Sequence, residues 1–160
     1  MKIFPENNYS IKLNNDNELV ISELKKKTLS KEQCVANWNA QIFIGNIKEN
    51  EFELKLSKKI LGEFCVLNGK LQTKNGTLEI RTSKKVKIIF LAIAIFSFSG
   101  VILAILQNKF ELILYLALNI FIMRYFFLEL GFRFISKSAI KKLTEIKGIE
   151  KINNLQNQNI

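Results

Sequence analysis

The chain has no histidine among its 160 residues. That removes the commonest general base, the Ser-His and Cys-His nucleophile pairs, and most zinc sites. Only two cysteines occur, Cys34 and Cys65. They lie far apart in the sequence, on the side expected to face the cytosol, where disulfides rarely persist. Cys65 is expected to point into a core as an inert thiol. There is no glycine-rich loop to cradle a phosphate. Glu53 could pair with Glu51 or Glu63, but scattered acids on a strand are ordinarily a solvated face. Asn8-Tyr9-Ser10 and Asn75-Gly76-Thr77 fit the glycosylation pattern. A cytosolic face never meets that machinery, and turn chemistry accounts for the second. No catalytic, metal-ligating or cofactor-binding residue is expected, and the chain does not read as an enzyme.

A concentrated basic patch on a soluble face is also missing. The net charge is +10, shared between residues 1–85 (15 basic, 10 acidic) and residues 86–160 (9 basic, 4 acidic). Nucleic acid is therefore not the expected partner.

What the chain does have is two long apolar runs, residues 86–106 and 110–130. Residues 88–106 hold 19 positions without a charge, interrupted only by Ser97, Ser99 and Gly100. A helix of that length nearly covers a hydrocarbon core of about 30 Å. The second run contains Asn119, Arg124 and Glu129 and must continue past Arg124 to span. The link Gln107-Asn108-Lys109 is short enough to force antiparallel neighbours. Arg81, Lys84, Lys85 and Lys87 precede the pair, and Arg133, Lys137, Lys141 and Lys142 follow it. Lys109 alone lies in the link. The positive-inside rule puts both termini in the cytoplasm. Anionic headgroups attract such cations by about 1 kcal/mol each. Arg81, Lys84, Lys85, Lys87, Arg124, Arg133 and Lys137 are the expected membrane anchors. Glu129, five residues from Arg124, is not an ideal helical partner for it. Asn119 could bond Ser97 or Ser99 across the two helices.

The chain before the spans reads as a small α+β domain over residues 1–85. Residues 9–13 alternate as a strand. A helix follows, with Asn15 as N-cap, Glu18 completing a capping box, Leu19, Val20 and Leu24 on one face, and Lys25, Lys26 and Lys27 in its last turn. Residues 28–41, with Ser30, Gln33 and Trp38, read as a helical turn or two and then loop. Strands are expected at 42–47, 51–58, 63–73 and 77–82, with a tight turn at Lys48-Glu49-Asn50. Asn75-Gly76 is the strongest two-residue hairpin signal. That turn pairs Thr73 with Leu78 and Leu71 with Ile80. It gathers Cys65, Leu67, Gly69, Leu71, Leu78 and Ile80 on one face, but sets Lys70 against Arg81. After the spans, residues 136–147 form a basic amphipathic helix with Ala139, Ile140, Leu143 and Ile146 on one face. Gly148 caps it. Within 131–152 it could dock on the sheet or lie on the membrane, with Ile149, Ile152 and Leu155 as a frayed extra turn. Residues 153–160 read as a disordered tail.

The run Phe43-Ile44-Gly45-Asn46-Ile47-Lys48-Glu49-Asn50-Glu51-Phe52-Glu53-Leu54, then Asn68-Gly69-Lys70-Leu71 and Gly76-Thr77-Leu78-Glu79-Ile80 before an apolar hairpin, resembles a group of small uncharacterised bacterial membrane proteins. These share F-x-G-x-I-x-x-N-x-F and G-T-x-I elements ahead of two spans. The likeness covers residues 40–85 and the spans. Its members often carry Arg-Leu-His-Pro before the first span, where this chain has Arg81-Thr82-Ser83-Lys84. The element order is also similar to a reduced helix-grip (START-like) layout, which would imply a lipid or other hydrophobic ligand.

The fold expected is thus α+β: a small, mostly antiparallel sheet with one or two helices, a two-helix transmembrane hairpin, then a C-terminal amphipathic helix. The function expected is a non-catalytic bacterial inner-membrane protein presenting a cytosolic binding or scaffolding domain to anionic lipid, a protein partner or its own copies. An oligomeric transport or channel subunit, or a lipid-binding START-like module, is the alternative.

Overall fold

The structure is a computed structural model that describes residues 3–30, 41–57 and 61–155. Seven strands form one sheet: β1 (Glu6–Leu13), β2 (Thr28–Ser30), β3 (Phe43–Lys48), β4 (Glu51–Leu56), β5 (Cys65–Leu71), β6 (Asn75–Thr82) and β7 (Ile149–Asn154). Their spatial order is β2-β3-β4-β5-β6-β1-β7. Every neighbouring pair is antiparallel except β2 with β3. Helix α1 (Asn17–Lys27) follows β1. Helix α2 (Lys84–Leu106) follows β6 after a single residue. Helix α3 (Phe110–Ile122) runs through a π-helical segment, Met123–Leu130, into α4 (Gly131–Thr144).

Period-two alternation sorts the strands into two faces. Tyr9, Ile11 and Leu13, Phe43, Phe52, Leu54 and Leu56, Cys65, Leu67 and Leu71, and Leu78 and Ile80 point inward and are buried. Helix α1 covers this face with Val20, Ile21 and Leu24, and α4 covers it with Phe132, Ile135, Ala139 and Leu143. The C-terminal helix therefore docks on the sheet. The other face carries Asn8, Asn46, Glu53, Asn68, Lys70 and Glu79, as a one-sided antiparallel sheet should.

Two glycines are fixed by contact rather than by turn geometry. Gly69 lies directly across from Phe52, and a Cβ there would collide with the Phe52 ring. A Cβ at Gly76 would meet Leu71 at 2.8 Å.

That second contact belongs to a corrected register. Gly76 pairs with Leu71, and Gln72 N donates to the Asn75 carbonyl at 2.6 Å, so Thr73 and Lys74 make the turn. Asn75-Gly76 does not. The observed register sets Lys70 opposite Thr77 and Arg81 opposite Val66, which removes the like-charge pair the Asn-Gly turn would impose. Leu71 moves its partner by four residues, an even number, so the inward-facing set is the one expected.

Other expectations also yield. Helix α1 has Asp16 at its N-cap with no side-chain bond, so the Asn15–Glu18 capping box does not form. Leu19 is 55% exposed, and Ile21 takes its place on the buried face. Thr28–Ser30 is a short parallel strand rather than a helical turn. Residues 31–40, with Gln33, Cys34 and Trp38, lie outside the described residues. The C-terminal helix begins at Gly131 as a direct continuation of α3. Gly148 does not cap it: the helix ends at Thr144 with Glu145 as its C-cap, and Gly148, at φ +98°, lies in the turn that Ile149 N closes onto the Ile146 carbonyl at 3.2 Å before β7. Residues 149–154, read as frayed turn and tail, instead form β7 on the edge of the sheet against β1. A register shift between Lys12 and Leu13 turns both Ile149 and Ile152 toward the core despite their three-residue spacing.

Helices α2 and α3 are apolar and lie side by side, with Gly100 against Leu116. Both α2 and the 35-residue helix Phe110–Thr144 are long and apolar enough to cross a membrane. Only 11% and 6% of their most apolar stretches is buried, unlike the stripe that a core helix buries.

Candidate functional site at the sheet–helix junction

The corner where β6 becomes α2 is built from buried polar side chains. Thr82 Oγ1 donates to the Pro5 carbonyl at 3.0 Å. Ser83 N donates to the Phe64 carbonyl at 3.0 Å, and Ser83 Oγ accepts from Val86 N at 3.4 Å as the N-cap of α2. The strand therefore enters the helix without slack. Phe4 clasps the first turns of α2, edge-on to Phe90 at 5.8 Å between ring centroids, with Lys87 Nζ 5.2 Å above its own ring.

The second helix meets the sheet at the same level. Phe64, just before β5, lies against Gly131, where a Cβ would meet its ring at 2.9 Å. It also contacts Phe127, at 6.0 Å between centroids. Above these contacts the structure leaves an apolar groove of about 360 Å³. Phe64 forms one wall, Val86, Ile89 and Phe90 of α2 another, and Met123, Phe127 and Leu128 of the π segment the third. The charged residues lining it are Glu63 and Lys85. Glu63 bonds Lys85 at 3.3 Å and Lys55 at 3.0 Å. Partial burial works to raise the Glu63 pKa, but the hydrogen bonds and charges of Lys55 and Lys85 outweigh it and hold the carboxyl below its ordinary value.

The π segment changes the reading of Arg124. Its i→i+5 turns stack residues five apart. Arg124 Nη1 accordingly reaches Glu129 Oε2 at 3.4 Å, and Arg133 Nε reaches the other oxygen at 3.0 Å. Glu129 thus ties two arginines, with the Arg124 side chain only 15% exposed. An α-helix would not have placed this pair together; the sequence signal for the π turn is the i,i+5 spacing of opposite charges in an apolar run.

The remaining expected residues separate. Lys84, Lys85 and Lys137 are exposed. Arg81 is half-buried on the outer sheet face beside Asn68, whose amide oxygen, with the amide turned to face it, accepts from the guanidinium at 3.0 and 3.1 Å. It is therefore part of the sheet surface rather than of the lysine ring on α2. Asn119 is exposed, and Ser99 Oγ donates to the Phe96 carbonyl of its own helix at 2.8 Å. Gly100 lies against Leu116 of α3, and Ala104, one turn on, is buried. Ser97 is buried. Glu51 pairs with Lys70 at 2.9 Å, and Glu63 with Lys55 and Lys85. Burial pushes the Cys65 thiol up to about 12, which makes it inert as expected. A second depression, of about 690 Å³, lies on the polar outer face of the sheet.

No family model matches the chain, and no curated protein or solved structure matches it either.

Proposed function

We propose that this chain is a two-span integral membrane protein that holds a cytosolic binding or scaffolding domain rigidly against the inner leaflet of a bacterial membrane, acting by binding rather than catalysis. The observation that carries this is the helix Phe110–Thr144. Its first half presents large apolar side chains outward, among them Leu114 and Phe121, while its last third is buried in the sheet's core. At about 1.5 Å per residue its 35 residues run about 52 Å, enough to cross a bilayer and still reach the sheet. Exposed apolar surface on this scale calls for a nonaqueous surrounding. The basic residues Lys84, Lys85, Lys87, Arg133, Lys137, Lys141 and Lys142 all lie at the sheet end of the helix pair, and Lys109 at the other, which supports a cytosolic sheet.

Binding by the outer surface, rather than in a START-like cavity, is supported by the packing beneath α4. Phe132, Ile135, Ala139, Leu143 and Ile146 fill the space between that helix and the strands. A transport role is less well supported, because Glu129 holds Arg124 within the helix.

The test is extraction and topology together. The full chain in native membranes should resist alkaline carbonate. In a Cys34→Ser background, Lys109→Cys should react with an impermeant maleimide in intact cells, and Lys147→Cys only after permeabilisation. Carbonate release, or the reverse labelling pattern, would overturn the proposal.

A further inference from the structure

We propose that the groove at the sheet–helix junction takes one acyl chain of an anionic glycerophospholipid, with the lipid phosphate on Lys85 and its neighbours. This rests on the reading that α2 and α3 cross a bilayer. The groove holds about 360 Å³, within the range of small-ligand sites. Phe64, Val86, Phe90, Met123 and Phe127 give it hydrocarbon walls, and among the described residues that line it only Glu63 and Lys85 are charged. That is the division a lipid requires: a dry body and one polar end.

Charge complementarity selects the headgroup. Glu63 is already shared by Lys55 and Lys85; Lys84 precedes Lys85 in the first turn of α2, while Lys87 lies over the Phe4 ring. Two cations share one carboxylate, which leaves a positive charge unbalanced at the edge of the groove, and a phosphodiester supplies the missing negative charge. A zwitterionic headgroup brings its own cation and cancels less of the surplus. The level of the groove favours lipid over a peptide, since it opens where the lysines end and exposed Ile88, Ile89 and Leu91 begin. The third wall is the π segment, whose i,i+5 turns put Met123 and Leu128 on the same side. Such turns recur at functional sites.

The experiment uses the full-length protein in mild detergent, analysed by native mass spectrometry with added phosphatidylglycerol, phosphatidylcholine or oleate. Wild type should retain phosphatidylglycerol in preference to the other two. Ile89→Trp, which fills the groove, should abolish retention. Lys85→Gln changes an exposed side chain and removes one weak ion pair, to Glu63, so the fold should persist, as a melting temperature near wild type would show. It should lower retention about fivefold, from about 1 kcal/mol per lysine near an anionic surface. Equal retention of phosphatidylcholine or oleate by wild type, or wild-type retention by both variants, would overturn the site. Carbonate extraction of the same material separates the two readings. Protein released by carbonate removes the membrane reading itself, whereas carbonate-resistant protein that retains no phosphatidylglycerol overturns only the lipid site.

Discussion

Phe110–Ile122 and Gly131–Thr144 belong to one continuous helix yet meet opposite surroundings. The first has no buried residue, while the second buries Phe132, Ile135, Ser136, Ala139 and Leu143. The sequence changes character between them, from apolar on all sides to amphipathic, and the π segment marks the change. On the proposed membrane reading, one helix belongs to two solvents and runs without a break from anchor to domain. A partner bound to the domain would then be held close above the bilayer.

The contrast is sharpest at two phenylalanines two residues apart, on opposite sides of the helix. Phe132 is 1% exposed against the sheet, and Phe134 is 73% exposed on the other side of the helix. Phe132→Ala should cost about 3–5 kcal/mol, from lost burial and the cavity left behind. Phe134→Ala should cost the sheet domain under about 0.5 kcal/mol, as surface changes ordinarily do. Denaturant unfolding of the detergent-solubilised chain, followed by amide exchange in the strands, measures both. Equal losses would mean that the last third of the helix is not part of the core.

Glu129→Gln probes the boundary itself. It strips charge from the bonds to Arg124 and Arg133 and should cost about 1.5–3 kcal/mol, as for hydrogen bonds to charged groups. The double change Arg124→Gln with Glu129→Gln should cost less than the two single changes added together. Strict additivity would mean that the pair carries no coupling.

Gly69→Val tests the sheet half alone. The added side chain would displace the Phe52 ring, and overpacking of this kind costs about 1–3 kcal/mol. Loss of strand protection with the apolar helices unchanged is the expected pattern. Equal melting temperatures would show that the ring can move aside.

Much of this was legible before the structure. Alternation in Glu51–Leu56 placed Phe52, Leu54 and Leu56 inward, and the uniform apolarity of residues 88–106 placed α2, because each pattern has one physical solution. What stayed hidden depended on distant partners. Ile149 and Ile152 sit three apart, a helical spacing, and only the register shift against β1 turns both inward. Lys and Asn are depleted in strands, so β7 carries little local signal, although such residues suit an edge. Asn75-Gly76 failed as a turn because Gly76 was needed for close packing against Leu71 and not for a positive φ. The groove could not be read at all, since Phe64, Ile89 and Phe127 are brought together only by the corner at Thr82 and Ser83.

The smallest effect tests the joint between the two regions. Glu63 links Lys55 of the sheet to Lys85 of α2. Its folded pKa is lowered, so the stabilisation is present above the unfolded value of about 4.3 and disappears as pH falls through the folded value. All three side chains are partly exposed, so the gain should stay below about 1 kcal/mol. Wild type should therefore melt slightly above Glu63→Gln at pH 7, and the gap should close as pH falls below the ordinary carboxylate range and through the lowered folded value. Salt should narrow the gap at neutral pH as well, since exposed pairs are screened. A difference that persisted unchanged to low pH would show that Glu63 contributes through packing beside Phe64 rather than through charge.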